Sequence, residues 1–360
     1  MALAPHAFSS SRRWLVVDTD AGVDDAIALC MVMKLAERYN FELKLITCCF
    51  GNCGVDQVAV NVAKCIAAAA PAQVPPVALG AKQCLAGNAI DASHFHGSDG
   101  LGDANLPAPD PQATPTDPAD PAAVPALRQL LARARAEGTE VTVVMLGPLT
   151  NLALALREEP ELPQMISELF VMGCCGNGRG NHGRVTEFNV HADPEAAQEV
   201  FAAPWSRLTV SSWDLTVLAT VPWPSFDALL ATPTQVGKFF KAICHLPYVQ
   251  RRSTASCSRS QQGCWASLAA CVLDLCAPLL RNLESTHTGL WALRSLPGAI
   301  ICDAVTVAMV LRPDLVLRSS EVHIEVELSG AITRGQTVVD WGTCFDGVHR
   351  LKHVRWVDEV

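Results

Sequence analysis

Four carboxylates crowd into eight residues, Asp18-Thr19-Asp20-Ala21-Gly22-Val23-Asp24-Asp25. Such a cluster repels itself unless a cation is shared, and a hard divalent ion bound through oxygen suits these ligands. A plainer role would have Asp24 and Asp25 favouring a helix N-terminus through the macrodipole, with Asp18 as a turn residue. That accounts for Asp24 and Asp25 but leaves Asp18 and Asp20 unexplained. Other polar groups stand far away in sequence: Asn52, the run Leu146-Gly147-Pro148-Leu149-Thr150-Asn151, Asn181, Glu187-Phe188-Asn189 and Cys302-Asp303.

These groups share a position in the pattern of elements. Trp14-Leu15-Val16-Val17 is apolar and strand-like, and Ala26 to Met33 is an apolar helix. The aspartates therefore lie at the carboxyl end of a strand, where open α/β sheets place their sites. Gly22 is expected to let the backbone turn sharply between the two. Leu146–Asn151 closes a second strand and opens a helix. Asn181 and Glu187–Asn189 follow a third strand, at Leu169–Met172, and an alternating extended segment would point Glu187 and Asn189 to one face. Cys302-Asp303 opens an apolar helix, Ala304 to Leu311.

The whole chain alternates in this way. Strand-like runs at Glu42–Cys48, Val77–Leu79, Glu140–Leu146, Leu169–Met172 and Leu208–Val210 are interleaved with helical ones at Gln57–Ala70, Pro125–Glu137, Leu149–Arg157 and Pro194–Phe201. The pattern predicts an α/β fold, a mostly parallel sheet flanked by helices on both faces, with no boundary that demands a second domain. The stretch from Pro107 to Pro125 holds seven prolines and reads as a surface loop. A Ser/Cys/Gln-rich segment at Ser253–Gly263 precedes a helical pattern from Cys264 to Leu280. Val322–Asp340 alternates around Gly330 and Gly335 as a β-hairpin or pair of edge strands. Residues 1–13 are expected to be a disordered tail ahead of the domain at 14–360.

Composition narrows the class. Half the residues are hydrophobic and 18% are charged, enough for a large core. A net charge of −9 without a basic block argues against nucleic acid as a partner. No stretch reaches the roughly 20 apolar residues of a membrane span, and residues 1–13, without a long apolar segment, are not expected to be a secretory signal. The 15 cysteines include no C-x-x-C pair and sit mostly in apolar patterns, as Cys30, Cys65 and Cys271 do. Buried free thiols in a cytoplasmic, reducing setting are the expectation.

Taken in order, these motifs resemble the inosine–uridine-preferring nucleoside hydrolase family. The agreement runs through the Asp-rich opening, Gly51-Asn52, His96-Gly97-Ser98-Asp99-Gly100-Leu101-Gly102, Gly147-Pro148-Leu149-Thr150-Asn151, Glu187-Phe188-Asn189, Ala192-Asp193-Pro194-Glu195-Ala196-Ala197, Asp303 and Thr333-Arg334-Gly335. The resemblance implies a single large Rossmann-like domain holding one Ca²⁺ per chain. Its ligands would be Asp20, Asp25, Asp303 and the carbonyl of Leu146, with two ribose hydroxyls and a water. It implies hydrolysis of a ribonucleoside to ribose and free base, with Asp20 accepting a proton from the attacking water. Asp24, Asn52, Asn181, Glu187 and Asn189 would line the ribose. A homodimer or homotetramer is also implied.

The chain departs from the family where many members carry His or Trp immediately before the last aspartate; here that residue is Cys302. A thiol is a weak proton donor and no stacking platform. His96, in a Gly-rich loop that could act as a lid, and Trp265 and His287 are the other candidates beside the base. Two further functions compete. An Asp-nucleophile phosphatase also opens on D-x-D, but Gly22 stands where its Thr or Val belongs and no partner lysine is evident. A nucleoside- or ribose-binding protein with weak or no catalysis would need no water-activating carboxylate, and Asp20 argues against it.

Overall fold

A computed structural model of the chain describes residues 12–107, 109, 122–250, 298–342 and 353–360. The apolar opening forms β1 (Arg13–Thr19), buried from Trp14 onward. Parallel neighbours follow from the runs of Val, Ile and Leu that suit a strand covered on both faces. They are β2 (Phe41–Cys48), β3 (Val77–Leu79), β4 (Val141–Met145), β5 (Glu168–Met172) and β6 (Leu208–Ser211). A short antiparallel pair, β7 (Val221–Pro222) and β8 (Gly298–Ala299), stands apart. The sheet is completed by β9 (Arg318–Val326), β10 (Thr337–Asp340) and β11 (Val354–Glu359).

Nine strands lie in the order β10-β9-β11-β6-β5-β4-β1-β2-β3. From β1 the chain builds outward through β2 and β3 on one side, and then through β4, β5 and β6 on the other. The reversal opens a crevice at the carboxyl ends of β1 and β4, the usual binding position of such a sheet.

The helices are α1 (Val23–Leu35), α2 (Val55–Ala69), α3 (Ser93–His96), α4 (Ala123–Glu137), α5 (Thr150–Glu158), α6 (Leu162–Met165), α7 (Phe188–Ala192), α8 (Pro194–Ala202), α9 (Trp213–Leu218), α10 (Trp223–Leu230), α11 (Gln235–Ile243) and α12 (Cys302–Leu311). One face of the sheet is covered by α1, α2, α11 and α12, the other by α4, α5 and α8. Helix α1 is buried along most of its length because α2 and α12 pack against it. The result is one large α/β domain.

Several expectations need adjusting. The Val322–Asp340 pattern does form a hairpin, Thr337 opposite Val326, but only β10 is an edge strand; β9 is covered by β11 on its other side. Strand β11 was not anticipated, since Arg355, Asp358 and Glu359 break its apolar alternation. Glu187–Asn189 is not extended: Glu187 caps α7 and Asn189 lies within it. The ten described cysteines are all buried. Residues 1–11, most of the Pro-rich segment, Ser253–Gly263 and Cys264–Leu280 lie outside the described residues, as do Trp265 and His287. Among the described residues no helix is long and apolar enough to cross a membrane.

Candidate active site

The aspartate turn is held from several directions. Beyond β1 the chain passes through Asp20 and then Ala21, whose φ of +37° is left-handed and disfavoured for a residue with a side chain. Gly22 is needed for space rather than for its dihedrals. Its φ is −78°, whereas a Cβ there would meet the Asn52 amide nitrogen at 2.5 Å and His96 Nδ1 at 2.7 Å. Asp25 then closes the start of α1 by accepting the Gly22 N–H at 2.9 Å and the Thr19 hydroxyl at 2.5 Å. The Asn52 amide bridges the two metal candidates, donating to Asp20 Oδ1 and Asp25 Oδ2 at 3.0 Å each, while its backbone N–H reaches Asp20 at 2.8 Å. Gly51 leaves room for Asp20, whose carboxylate would lie 2.0 Å from a Cβ there.

Asp303, the second residue of α12, arrives at this turn from 278 residues further along the chain (303 − 25). Asp24, Asp25 and Asp303 can each present an oxygen within 4.8 Å of the others. Burial, reinforced by neighbouring carboxylates, pushes Asp20 and Asp303 well above the usual carboxylate range, and Asp24 up to about 7. Asp18, directly beneath, is also pushed up to about 7 by burial, against hydrogen bonds from Asn151 (2.7 Å) and Thr47 (2.5 Å). Among the described residues no ion pair reaches any of these aspartates. The donor set is all oxygen, buried and convergent, and a shared cation is what would let these groups ionise together.

A second group of residues faces the same crevice from β4 and β5. The Leu146 N–H bonds back to Asp18 at 2.9 Å, and the Leu146 carbonyl accepts from Asn189 Nδ2 at 2.7 Å. Glu187 is buried and accepts backbone N–H groups of Asn189 (3.0 Å), Val190 (3.2 Å) and Cys174 (3.2 Å). Burial nevertheless pushes it up to about 7. Asn181 is exposed and its side-chain oxygen accepts the Phe188 N–H at 2.8 Å, so it supports the same helix start.

A third group of residues carries the departure from the family pattern. Cys302 is buried, its sulfur 3.5 Å from the Thr216 hydroxyl, and desolvation with the charge of Asp24 pushes the thiol well up. His96 is no solvated loop histidine. It ends α3, is buried, and accepts the Val23 N–H at Nδ1 over 3.0 Å, so the proton of its neutral ring lies on Nε2. Tyr248 was missed in the sequence, although the chain has only two tyrosines. Its hydroxyl donates to the Ile300 carbonyl at 2.6 Å, and its ring stands edge-on to Phe95, 6.0 Å between centroids. Asp24 and Cys302 lie close enough to act on it electrostatically.

A mostly parallel sheet with buried acidic oxygens at its switch point is an α/β fold with a group of carboxylates that could hold a metal ion. Comparison with known proteins gives the family. Residues 15–360 match the family described as inosine-uridine preferring nucleoside hydrolase, and the chain belongs to it. The chain is 31% identical to the inosine-uridine preferring nucleoside hydrolase of Leishmania major, covering 91% of this chain and 88% of that one. It is 30% identical, with the same coverage, to the pyrimidine-specific ribonucleoside hydrolase RihA of Salmonella schwarzengrund (strain CVM19633). Among solved structures, an inosine-guanosine nucleoside hydrolase superimposes with a TM-score of 0.74 at 26% identity, over 96% of this chain and 94% of that one. The protein is therefore a hydrolase acting on N-glycosyl bonds.

Proposed function

We propose that the protein hydrolyses ribonucleosides to ribose and free base at this crevice, with Ca²⁺ held by Asp20, Asp25, Asp303 and the Leu146 carbonyl. The observation that supports it is the meeting of Asp24, Asp25 and Asp303 within 4.8 Å, from two helix starts distant in sequence; Asp20 is not one of these three but is tied to Asp25 through the Asn52 amide, and among the described residues no ion pair reaches the group. A bound calcium would supply an oriented water that loses its proton more readily. Carboxylate and carbonyl oxygens joined by two sugar hydroxyls would favour calcium, the larger ion of higher coordination number, over magnesium.

The protein's own residues divide the remaining work. Asp20 takes the proton of the attacking water, and Asn52 fixes the carboxylate with two hydrogen bonds. Asp24, Asn52, Asn181, Glu187 and Asn189 pair with the sugar hydroxyls, each of which would cost about 1–3 kcal/mol if buried without a partner. Attack from the face opposite the base resembles that of inverting glycosidases. Cys302 stays a neutral thiol and is a poor acid for the leaving base. Activation of the base is assigned instead to the region of Trp265 and His287, with His96 as a further candidate. Unchanged kcat and KM for every nucleoside after Trp265→Ala and His287→Ala would remove those two.

The test is ribose release from inosine, guanosine, adenosine, uridine and cytidine with calcium present. Wild type should release ribose, and Asp20→Asn should lose about 10²–10⁴-fold, the usual worth of a positioned base. Nucleoside binding without ribose release by the wild type would replace hydrolysis with a binding function.

A further inference from the structure

Asn61 lies on α2, on the face that otherwise carries Val58, Val62 and Cys65, and is fully buried. An asparagine in a helix interior is ordinarily solvated, so its partners are informative. Its Nδ2 donates to two carbonyls from different loops, Ala21 at 3.1 Å and Asp99 at 2.8 Å, while its Oδ1 accepts from Gln57 Nε2 at 2.9 Å. The amide is thereby oriented as well as satisfied.

Both carbonyls belong to segments that shape the crevice. Ala21 is the left-handed residue between Asp20 and the start of α1, a conformation that persists only where its surroundings over-determine it. Asp99 sits in the loop that follows His96. Gly100 packs so tightly here that a Cβ would meet Asn61 Nδ2 and Cys53 Sγ at 2.9 Å each. The same two segments meet a second time where the Val23 N–H donates to His96 Nδ1.

We propose that Asn61 is a positioning residue. It holds the Asp20–Asp25 turn and the 97–103 loop in one fixed relation, so that the cation ligands and His96 are set together. The proposal rests on the reading above in which Asp20 and Asp25 bind calcium. A merely space-filling Asn61 would affect overall stability alone; a positioning Asn61 must also affect the two loops it ties.

The test uses the full chain with Ca²⁺ alone, no nucleoside, in Asn61→Asp and Asn61→Ser. The first is isosteric but turns an oxygen toward the two carbonyls; the second is smaller and neutral, and serves if the charged variant does not fold. Calcium affinity should fall about tenfold or more, as when a group that orients metal ligands is lost. Backbone amides at 21–23 and 97–103 should exchange hydrogen faster in the calcium-free protein, with those of β4 and α5 unchanged. Affinity kept within about twofold of wild type, with local exchange unaltered, would overturn the proposal whatever happens to Tm. If the wild type itself takes up no calcium, the metal reading fails, and exchange in the two loops still decides the role of Asn61.

Discussion

The two ends of the parallel sheet treat buried acid in opposite ways. At the amino ends, Glu168 opens β5 and is pushed up by burial, but Arg207, Arg13 and Arg355 act in the other direction. That acid is countered from within the chain. At the carboxyl ends, Asp20, Asp24, Asp25 and Asp303 are pushed up by burial, and the neighbouring carboxylates on Asp20, Asp24 and Asp303 add to the effect. Hydrogen bonds from Asn52, Gly22 and Thr19 organise these acids without neutralising them. Among the described residues, arginines act on the acid at one end, whereas no ion pair reaches the acids at the other, which stand at the switch point of the sheet.

The contrast can be broken by substitution. Asp303→Ala removes one oxygen from the convergent set and should lower kcat/KM for ribose release by about 10³-fold or more, comparable to losing a group aimed at transition-state charge. Glu187→Gln should act less strongly. It leaves an amide facing three backbone N–H groups and should cost about 1–2 kcal/mol in thermal or chemical unfolding. Ribose-dependent kcat/KM should drop about 10–100-fold alongside, the equivalent of one buried hydroxyl left without its partner. Glu168→Gln, at the countered end, should change stability by about 1 kcal/mol or less and leave ribose release untouched. A Glu168→Gln protein as impaired as Asp303→Ala would erase the distinction between the two ends.

Much of the site is legible in the sequence because it is local. Apolar runs on either side of Asp18–Asp25 force a strand, a turn and a helix, and the acids can only stand between them. Asp303 is different: nothing in its own neighbourhood ties it to Asp25; its place at a helix start made it a candidate, and the ordered resemblance supplied its role as a ligand. Gly22 was correctly marked as a required glycine for the wrong physical reason, because close approach by Asn52 and His96 is a tertiary fact. Glu187–Asn189 was misjudged because alternation cannot show that Glu187 folds back to cap its own helix. Asn61 escaped notice, since a lone asparagine in a helical pattern reads as a solvated residue until its two carbonyl partners are seen. A polar residue on the apolar face of α2 was the available signal.

Cys302 sharpens what the family pattern leaves open. On the proposed reading the cation and ribose sides of the crevice would follow the motifs, whereas the base side would rest on a neutral thiol, a histidine tied through Nδ1 and a tyrosine that donates to a backbone carbonyl. Substrate preference is therefore expected to be set on that side.

The most direct test of the proposed cation site is the calcium content of the purified chain after equilibration with calcium and removal of excess, measured by atomic emission for wild type, Asp25→Ala and Glu168→Gln. The account predicts one tightly held calcium per chain in wild type and in Glu168→Gln, and none in Asp25→Ala. A wild type without bound calcium, or an Asp25→Ala protein that keeps it, would contradict the account.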